Sequence, residues 1–344
     1  MTVPIRFILT NICLVVFCCT LGAQETTGRV HAVIISGGMN KLLNHERYWN
    51  DCTFLYRTLR HDYHYAKDDI TLLMSDGGDA GRDMLLADGS GFASSPSDLD
   101  GDGERDVWLP ATLAQVETTL AELAARLSGQ DRLLLFMMDH GGSDGGQSYA
   151  WMWGGERLTD SRLAQLLDAF RVASMAVVMG MCHSGGFISE LWRDGRIILT
   201  SCGADEQSWA CSDKPYDEFV YHWTCAMAGH DHEGRNVSAD ADGDGQTTIA
   251  EAFDYARRHD AKEETPQYYS TPAALGGQWT LAQPQRNTII TSQGDRPPVS
   301  RPPVSKCYDL QGQTIDEASA MRGKYIKKIN AKQSFRPSPI IIIK

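Results

Sequence analysis

The stretch SMAVVMGMCHSGGF, residues 174–187, decides the fold. It contains an apolar run that is typical of a strand covered on both faces of a sheet. A glycine-rich turn follows the run and carries Cys182. In sheets of parallel strands, active sites gather at the carboxyl ends of the strands. Cys182 is therefore a candidate nucleophile, and a disulfide partner, a metal ligand or a small buried side chain are the alternatives.

The sequence around this stretch alternates strand-like and helix-like segments. Similar apolar runs are RVHAVIIS (29–36), DDITLLMS (68–75), DRLLLFMM (131–138) and GRIILTS (195–201). Apolar residues recur at helical spacing in NHERYWNDCTFLYRTLR (44–60), LPATLAQVETTLAELAARL (109–127) and TDSRLAQLLDAFR (159–171). This alternation with short connections predicts an α/β fold, with a mostly parallel sheet and helices on both of its faces.

The composition and the N-terminus indicate an exported globular protein. Of the 344 residues, 42% are hydrophobic and 22% charged, and the net charge of −12 argues against nucleic acid as a partner. Residues 1–23 combine one arginine, an apolar core and a cleavage site after Ala23, as in a signal peptide. No other segment could span a bilayer. We therefore expect no membrane span after signal removal and a periplasmic, cell-surface or secreted location.

Beyond the signal peptide, the sequence divides into three parts. Residues 28–285 carry the strand–helix alternation and form the predicted main domain. Residues 286–305 contain the repeat RPPVSRPPVS, whose paired prolines favour an extended linker. Residues 306–344 begin with KCYDLQGQ and are similar to the short β-rich sorting tails of some exported bacterial proteins. A disordered or hairpin-forming tail is the alternative.

Signal removal leaves six of the nine cysteines: Cys52, Cys182, Cys202, Cys211, Cys225 and Cys307. In an oxidising compartment some of them can pair, and Cys202 with Cys211 is the easiest closure. So few cysteines in so long a chain do not form a disulfide scaffold, which leaves room for a free thiol.

A second strand end complements Cys182. The run LLLFMMDHGG (133–142) ends in His140 and Gly141. One helix separates the two runs, so a right-handed crossover would make the strands neighbours and bring His140 to Cys182. A Cys–His pair supplies a nucleophile and a proton donor for the leaving amine. The amides of Gly141 and Cys182 are candidates for an oxyanion hole.

Competing interpretations fit these residues less well. An inert buried cysteine and a structural histidine are each common, but they do not explain two such residues in glycine turns at equivalent strand ends. A zinc site lacks a convincing third ligand. The nucleophile elbow of α/β-hydrolases needs glycine at position 184, where this chain has serine, and a histidine downstream of the nucleophile.

Through FMMDHGG and VVMGMCHSGG, residues 28–230 resemble the legumain-type (C13) family of clan CD cysteine peptidases. That family combines an apolar strand ending in His-Gly with an apolar strand ending in the catalytic Cys and a Ser-Gly turn. The resemblance implies the caspase-haemoglobinase fold, with a sheet of about six strands, and an endopeptidase that forms a thioacyl-enzyme on peptide or protein substrates. A transpeptidase or ligase with the same dyad and a catalytically decayed, calcium-stabilised binding module are the alternatives.

The resemblance also implies roles for residues outside the two signatures. LTSCGADEQSWAC is similar to the family's next strand, whose edge binds substrate by strand addition, so Ser208, Trp209 and Ala210 would line the substrate. Asn44 falls where the family has an asparagine that orients the catalytic histidine.

The specificity residues depart from those of the family. Asparagine-selective members carry Glu two residues before the nucleophile, where this chain has Gly180. They also carry Arg in the first helical segment, where this chain has Glu46 beside Arg47, whereas Asp217 matches a retained acidic pocket residue. A pocket with Glu46 and Asp217 but no matching arginine would favour Arg or Lys at P1.

Two acidic loops are predicted to bind structural calcium, and no organic cofactor is expected. DADGDGQTTIAE (240–251) has the spacing of the twelve-residue calcium loop. Its ligands would be the side chains of Asp240, Asp242, Asp244 and Glu251 and the carbonyl of Gln246. DLDGDGERD (98–106) is a weaker match and offers the carboxylates of Asp98, Asp100, Asp102 and Asp106. A solvated acidic turn is the alternative for each loop.

Overall fold

The computed structural model describes residues 28–284 and the backbone of residues 307–308 and 314–315. The chain divides into two units, residues 1–286 and 287–344. The predicted signal peptide, the linker and most of the tail lie outside the described residues. In the second unit, the two described segments form a short antiparallel pair of strands.

The strands, in chain order, are β1 (Val30–Ser36), β2 (Ile70–Met74), β3 (Arg82–Leu85), β4 (Phe92–Ser94), β5 (Arg132–Met138), β6 (Gly141–Asp144), β7 (Gln147–Met152), β8 (Glu156–Thr159), β9 (Ser174–Gly180), β10 (Arg196–Thr200), β11 (Gln267–Thr271), β12 (Cys307–Tyr308) and β13 (Thr314–Ile315). The α-helices are α1 (Glu46–Arg57), α2 (Leu113–Arg126), α3 (Asp160–Leu167), α4 (Phe187–Leu191), α5 (Glu218–Ala228) and α6 (Ile249–His259). Among the described helices, none is both long and apolar enough to cross a membrane.

A six-stranded sheet in the order β11–β10–β9–β5–β1–β2 organises the first unit. Its neighbouring strands run parallel except for β11, which is antiparallel to β10. The predicted mostly parallel sheet is therefore confirmed. Strand β11 was absent from the apolar runs because it lies at the edge of the sheet and its residues are only half-buried.

Helices cover both faces of this sheet, as predicted. On β1, Ala32 and Ile34 belong to a core shared with α1, α5 and α6. Val33 and Ile35 belong to a second core shared with α2, α3 and α4. Because burying a Val or Ile side chain contributes about 1.5–3 kcal/mol, both faces of the strand require apolar residues. The strand therefore has a continuous apolar run instead of an alternating one.

The pairing of β5 with β9 positions the candidate catalytic residues. The register places Met138 opposite Gly180 at the carboxyl ends of the two strands. His140 and Cys182 each follow two residues later, so both leave the sheet at the same edge. Strand β6 begins at Gly141, and the chain therefore passes from the histidine directly into the small β6–β7–β8 sheet.

The proposed closure between Cys202 and Cys211 does not form, and both thiols are free. Cys202 is buried beneath the turn that follows β9, where its Sγ lies 3.4 Å from the carbonyl oxygen of Met181. Cys211 packs in a separate cluster with Phe54. The side chains of Cys202 and Cys211 therefore pack in different parts of the interior, although they are close in sequence.

Candidate active site

The structure brings Cys182, His140 and Gly141 together at the edge of the sheet. A Cβ atom added to Gly141 would clash with the carbonyl oxygen of Cys182 and would lie 3.2 Å from the side chain of Met181. Only glycine permits this approach of the two backbones. The two glycine turns identified in the sequence are therefore packed against each other.

The imidazole of His140 is held by a backbone carbonyl. Its Nε2 lies 3.1 Å from the carbonyl oxygen of Leu43. A carbonyl can only accept a hydrogen bond, so Nε2 carries the proton in the neutral ring and Nδ1 is left able to accept one. The ring of Tyr48 packs edge-on at 5.2 Å between centroids. Burial, followed by the charge of Arg47, lowers the pKa of His140, so the ring is neutral near neutral pH.

Asn44 does not orient this histidine through its side chain, which corrects the expectation from the resemblance. Its Nδ2 donates to the carbonyl of Asp83 at 3.1 Å. Its Oδ1 accepts from the indole of Trp49 at 2.9 Å and from the hydroxyl of Ser75 at 2.8 Å. The side-chain amide of Asn44 therefore makes its hydrogen bonds to these three residues in the protein interior. The contact with the imidazole comes instead from the backbone of the preceding residue, Leu43.

Asp139 holds the turn that contains His140 through hydrogen bonds to backbone amides. This buried carboxylate accepts hydrogen bonds from the amides of Gly37, of Gly38 at 3.0 Å and of His140 at 2.6 Å. Burial nevertheless outweighs these donors and raises the pKa of Asp139 to about 8. The carboxyl group therefore joins the end of β1 to the residue that begins the histidine turn.

The thiol of Cys182 is covered by the backbone of Ser208. Its Sγ accepts the N–H of Ser208 at 3.4 Å and lies 3.8 Å from the carbonyl oxygen of that residue. Burial raises the pKa of Cys182, and the charge of Asp217 acts in the same direction. The site thus holds a neutral thiol near a neutral imidazole.

The backbone N–H of Gly141 is not used in the pairing with the neighbouring strand β7. Trp151 donates its N–H to the carbonyl of His140, which makes these two residues a hydrogen-bonded pair. Gly141 lies opposite Ala150 in the next pair of the same antiparallel ladder. Because bonded and non-bonded pairs alternate, the N–H of Gly141 points away from β7.

The acidic pocket predicted from Glu46 and Asp217 does not form. Asp217 is paired with Arg47, whose Nε lies 3.0 Å from its carboxylate. The carboxylate of Glu46 turns elsewhere and accepts the N–H of Ala87 at 2.8 Å. Burial and the charge of Asp217 also raise the pKa of the Asp51 carboxyl. The premise of an acidic pocket for Arg or Lys at P1 is therefore contradicted, because Arg47 of α1 neutralises Asp217.

Gly180 is part of a packed interior surface. A Cβ atom there would lie 2.5 Å from Val220 and 2.6 Å from the sulfur of Met138. The position that carries Glu in asparagine-selective relatives is therefore filled by these two apolar side chains.

The segment with Ser208, Trp209 and Ala210 lies beside the thiol but is partly engaged within the protein. The backbone N–H of Trp209 donates to Glu264 at 3.2 Å, and its carbonyl accepts the N–H of Glu218 at 2.9 Å. Ala210 forms an antiparallel bridge with Asp217. In the predicted strand-addition edge, Ser208 therefore lies against the cysteine, whereas the backbone of Trp209 is already hydrogen-bonded. Trp209 as a residue is 46% exposed.

The loop 240–251 brings three of its predicted ligands together. The carboxylate oxygens of Asp240, Asp242 and Glu251 lie within 4.8 Å of one another. Asp244 stands apart from this group and accepts the N–H of Gln246 at 2.8 Å. Oxygen donors of this kind suit calcium.

The loop 98–106 also gathers carboxylates but contains a protein cation. Ligand atoms of Asp98, Asp100 and Asp106 lie within 4.8 Å of one another. Lys67 places its ammonium group 2.8 Å from both Asp102 and Asp106. This loop is therefore partly neutralised by the chain itself.

The sequence interpretation missed several residues of the site. Asp139 had a signal, because it is an acidic residue at the end of an apolar run and directly precedes the histidine. Tyr48 and Leu43 had none, since one contributes a ring face and the other a carbonyl. Glu264 and Asp51 also lacked a signal, because their relation to the site depends on contacts between distant segments.

Comparison with known proteins relates part of this chain to a family. Residues 124–275, which include both His140 and Cys182, match the family model of the peptidase C13 family. No curated protein matches the chain. Among solved structures, protein GSU0716 from Geobacter sulfurreducens is 13% identical, with 75% of this chain and 100% of that chain covered and a TM-score of 0.47. Over residues 124–275, the chain is therefore similar to the peptidase C13 family, the legumain-type cysteine peptidases.

Proposed function

We propose that this chain is an exported cysteine endopeptidase in which Cys182 is the nucleophile and His140 transfers the proton. The observation that carries the proposal is the register of β5 and β9, which brings both residues to one edge of the sheet with Gly141 against the cysteine backbone. A peptidase needs this combination of nucleophile, base and amide donors.

The proposed reaction begins from the neutral pair. Nδ1 of His140 takes the thiol proton as Sγ of Cys182 bonds to the scissile carbonyl carbon. The amides of Gly141 and Cys182 stabilise the negative charge that develops on the carbonyl oxygen. The imidazolium then gives its proton to the leaving amine as the C–N bond breaks. Water, deprotonated by the same imidazole, hydrolyses the thioester and regenerates the thiol.

The test combines substitution with covalent labelling under reducing conditions. Cys182→Ala and His140→Ala should each remove peptide hydrolysis, whereas His61→Ala, at an exposed histidine, should retain it. A thiol-directed electrophile should label Cys182 in the wild type. Full activity in Cys182→Ala would refute the proposal, and a folded wild type that resists labelling would favour a decayed binding module.

We further propose that the P1 pocket accepts a neutral polar side chain. Arg47 offers hydrogen-bond donors and Asp217 offers acceptors, and the two charges balance. A side chain with both a donor and an acceptor, such as a carboxamide, matches this pair, whereas a cationic side chain would oppose Arg47. Peptides that differ only at P1 test the proposal, and a clear preference for Arg or Lys would contradict it.

Calcium is proposed as a structural ion of the loop 240–251. The convergence of Asp240, Asp242 and Glu251 supports this assignment. Calcium should raise the melting temperature of the wild type, and Asp242→Asn should reduce that shift, because its exposed carboxylate is one of the ligands. Asp98→Asn, in the loop 98–106, is the matched control substitution. A melting temperature that does not respond to calcium would refute the assignment.

A further inference from the structure

A single irregular segment covers the Cys182 thiol, and its position depends on contacts from elsewhere in the chain. Residues 206–209 form no regular secondary structure. Within them, the N–H and the carbonyl of Ser208 flank Sγ at 3.4 and 3.8 Å. Whatever holds this segment therefore determines how the thiol is covered.

Two residues between α6 and β11 hold the segment at both ends. Glu264 accepts the N–H of Trp209 through Oε2 at 3.2 Å. Thr265 donates its N–H and its hydroxyl to the side chain of Glu206 at 2.9 and 2.8 Å. The carbonyl of Glu206 accepts the N–H of His183, the residue after the nucleophile, at 2.8 Å. The covering segment is thus tied to the α6–β11 connection and to the nucleophile turn.

Glu264 occupies an environment that favours its neutral form. Its Oε1, the hydroxyl of Ser208 and Oδ2 of Asp260 are buried without a hydrogen-bond partner within residues 28–284. Burial, followed by the charge of Asp260, raises the pKa of Glu264 to about 9. The protonated carboxyl adds no negative charge beside Cys182, where such a charge would disfavour the thiolate. Glu264 can therefore hold the segment near neutral pH without opposing the chemistry of the thiol.

We propose that Glu264 is a positioning residue for the nucleophile, which holds the Ser208 peptide against the Cys182 thiol through the N–H of Trp209 and so controls access to the thiol. The inference rests on the proposed role of Cys182. Because the segment is held in place before substrate arrives, less conformational entropy is lost when substrate binds. Loss of the contact should therefore raise KM more than it lowers kcat.

The test measures alkylation of Cys182 by iodoacetamide in the full chain, followed on the Cys182 peptide by mass spectrometry. Glu264→Ala removes the acceptor for Trp209, and we expect alkylation about fivefold faster than in wild type because the segment opens more often. Glu264→Gln keeps an oxygen acceptor and should retain the wild-type rate. Glu263→Ala, at the exposed neighbouring residue, is the matched control. An unchanged rate in Glu264→Ala, or an equal increase in Glu263→Ala, would overturn the inference.

Cys52 reports whether the fold itself has been lost, because it is fully buried in the main core. If Glu264→Ala also labels Cys52, Glu264→Asp replaces it, since the shorter side chain withdraws the acceptor but keeps the carboxyl. Faster labelling confined to Cys182 supports the inference, and a wild-type rate overturns it. Alkylation requires no peptide turnover. Peptidase activity retained by Cys182→Ala would therefore refute the proposed function separately from this result.

Discussion

Replacing Asn44 by alanine tests how the candidate catalytic histidine is held. The Asn44 side chain is fully buried and makes three hydrogen bonds, with Asp83, Trp49 and Ser75. Alanine leaves all three partner groups inside the protein without their bonds. Each unsatisfied buried group costs about 1–3 kcal/mol, and partial entry of water reduces the sum, so we expect a loss of about 4 kcal/mol in the free energy of unfolding.

Urea unfolding of the wild type and two alanine variants measures this loss. Asn50→Ala is the matched control, because Asn50 lies nearer the surface and makes one side-chain bond, to the carbonyl of Pro215 at 2.9 Å. We expect it to cost less than about 1 kcal/mol. An Asn44→Ala cost as small as that of the control would refute the reasoning. Asn44→Asp keeps both acceptor contacts, but at neutral pH it buries a charge and sets a carboxylate oxygen against the carbonyl of Asp83, so we expect it to destabilise the fold as well.

The same substitution has a consequence for turnover. Asn44 directly follows Leu43, whose carbonyl holds Nε2 of His140. A shift of that carbonyl misplaces the imidazole, and misplacement of a catalytic group by about 1 Å reduces the rate by about 100-fold. We therefore expect kcat to fall in the folded fraction of Asn44→Ala or Asn44→Asp, while Asn50→Ala keeps the wild-type value.

Three further predictions concern the same edge of the sheet. Gly141→Ala should lower kcat by about 100-fold, because the new Cβ displaces the Cys182 carbonyl; Gly129→Ala, with only an ordinary contact at 3.4 Å, should not. Burial lowers the pKa of His140 from 6.5, so the acid limb of kcat/KM should have its midpoint below that value, and a midpoint above it would contradict the neutral-imidazole mechanism. Burial raises the pKa of Glu264 to about 9. The stability contributed by this group is therefore complete below about pH 4 and lost as the pH rises to about 9, and urea unfolding of Glu264→Gln should depend less steeply on pH over that range.

The sequence was sufficient for the sheet and for the two central residues because both signals are local. Strands buried on both faces require continuous apolar runs, and the carboxyl ends of parallel strands meet at one edge. His140 and Cys182 could therefore be located before their neighbours were known. The same reasoning could not predict β11, because an edge strand with half-buried residues does not need a continuous apolar run.

The pocket could not be derived in this way because it depends on side-chain directions across distant segments. Arg47 and Asp217 are 170 residues apart, and Glu46 lies next to Arg47 in sequence but bonds in another direction. Spacing along a helix indicates which face a residue occupies, not which of two adjacent charges reaches a given partner. Glu264 is likewise 55 residues from Trp209.

Gly180 shows that one specificity residue of the asparagine-selective relatives has no counterpart in this chain. The absence of Glu at this position first indicated a missing charge in an otherwise similar pocket. Instead, the space that a side chain would need is occupied by Val220 and Met138 at 2.5 and 2.6 Å. Restoring the acid would therefore require a smaller residue at position 220 as well. With that position closed, we expect a P1 side chain to face Arg47 and Asp217, and the proposed preference for a neutral polar side chain follows from the balance of these two charges.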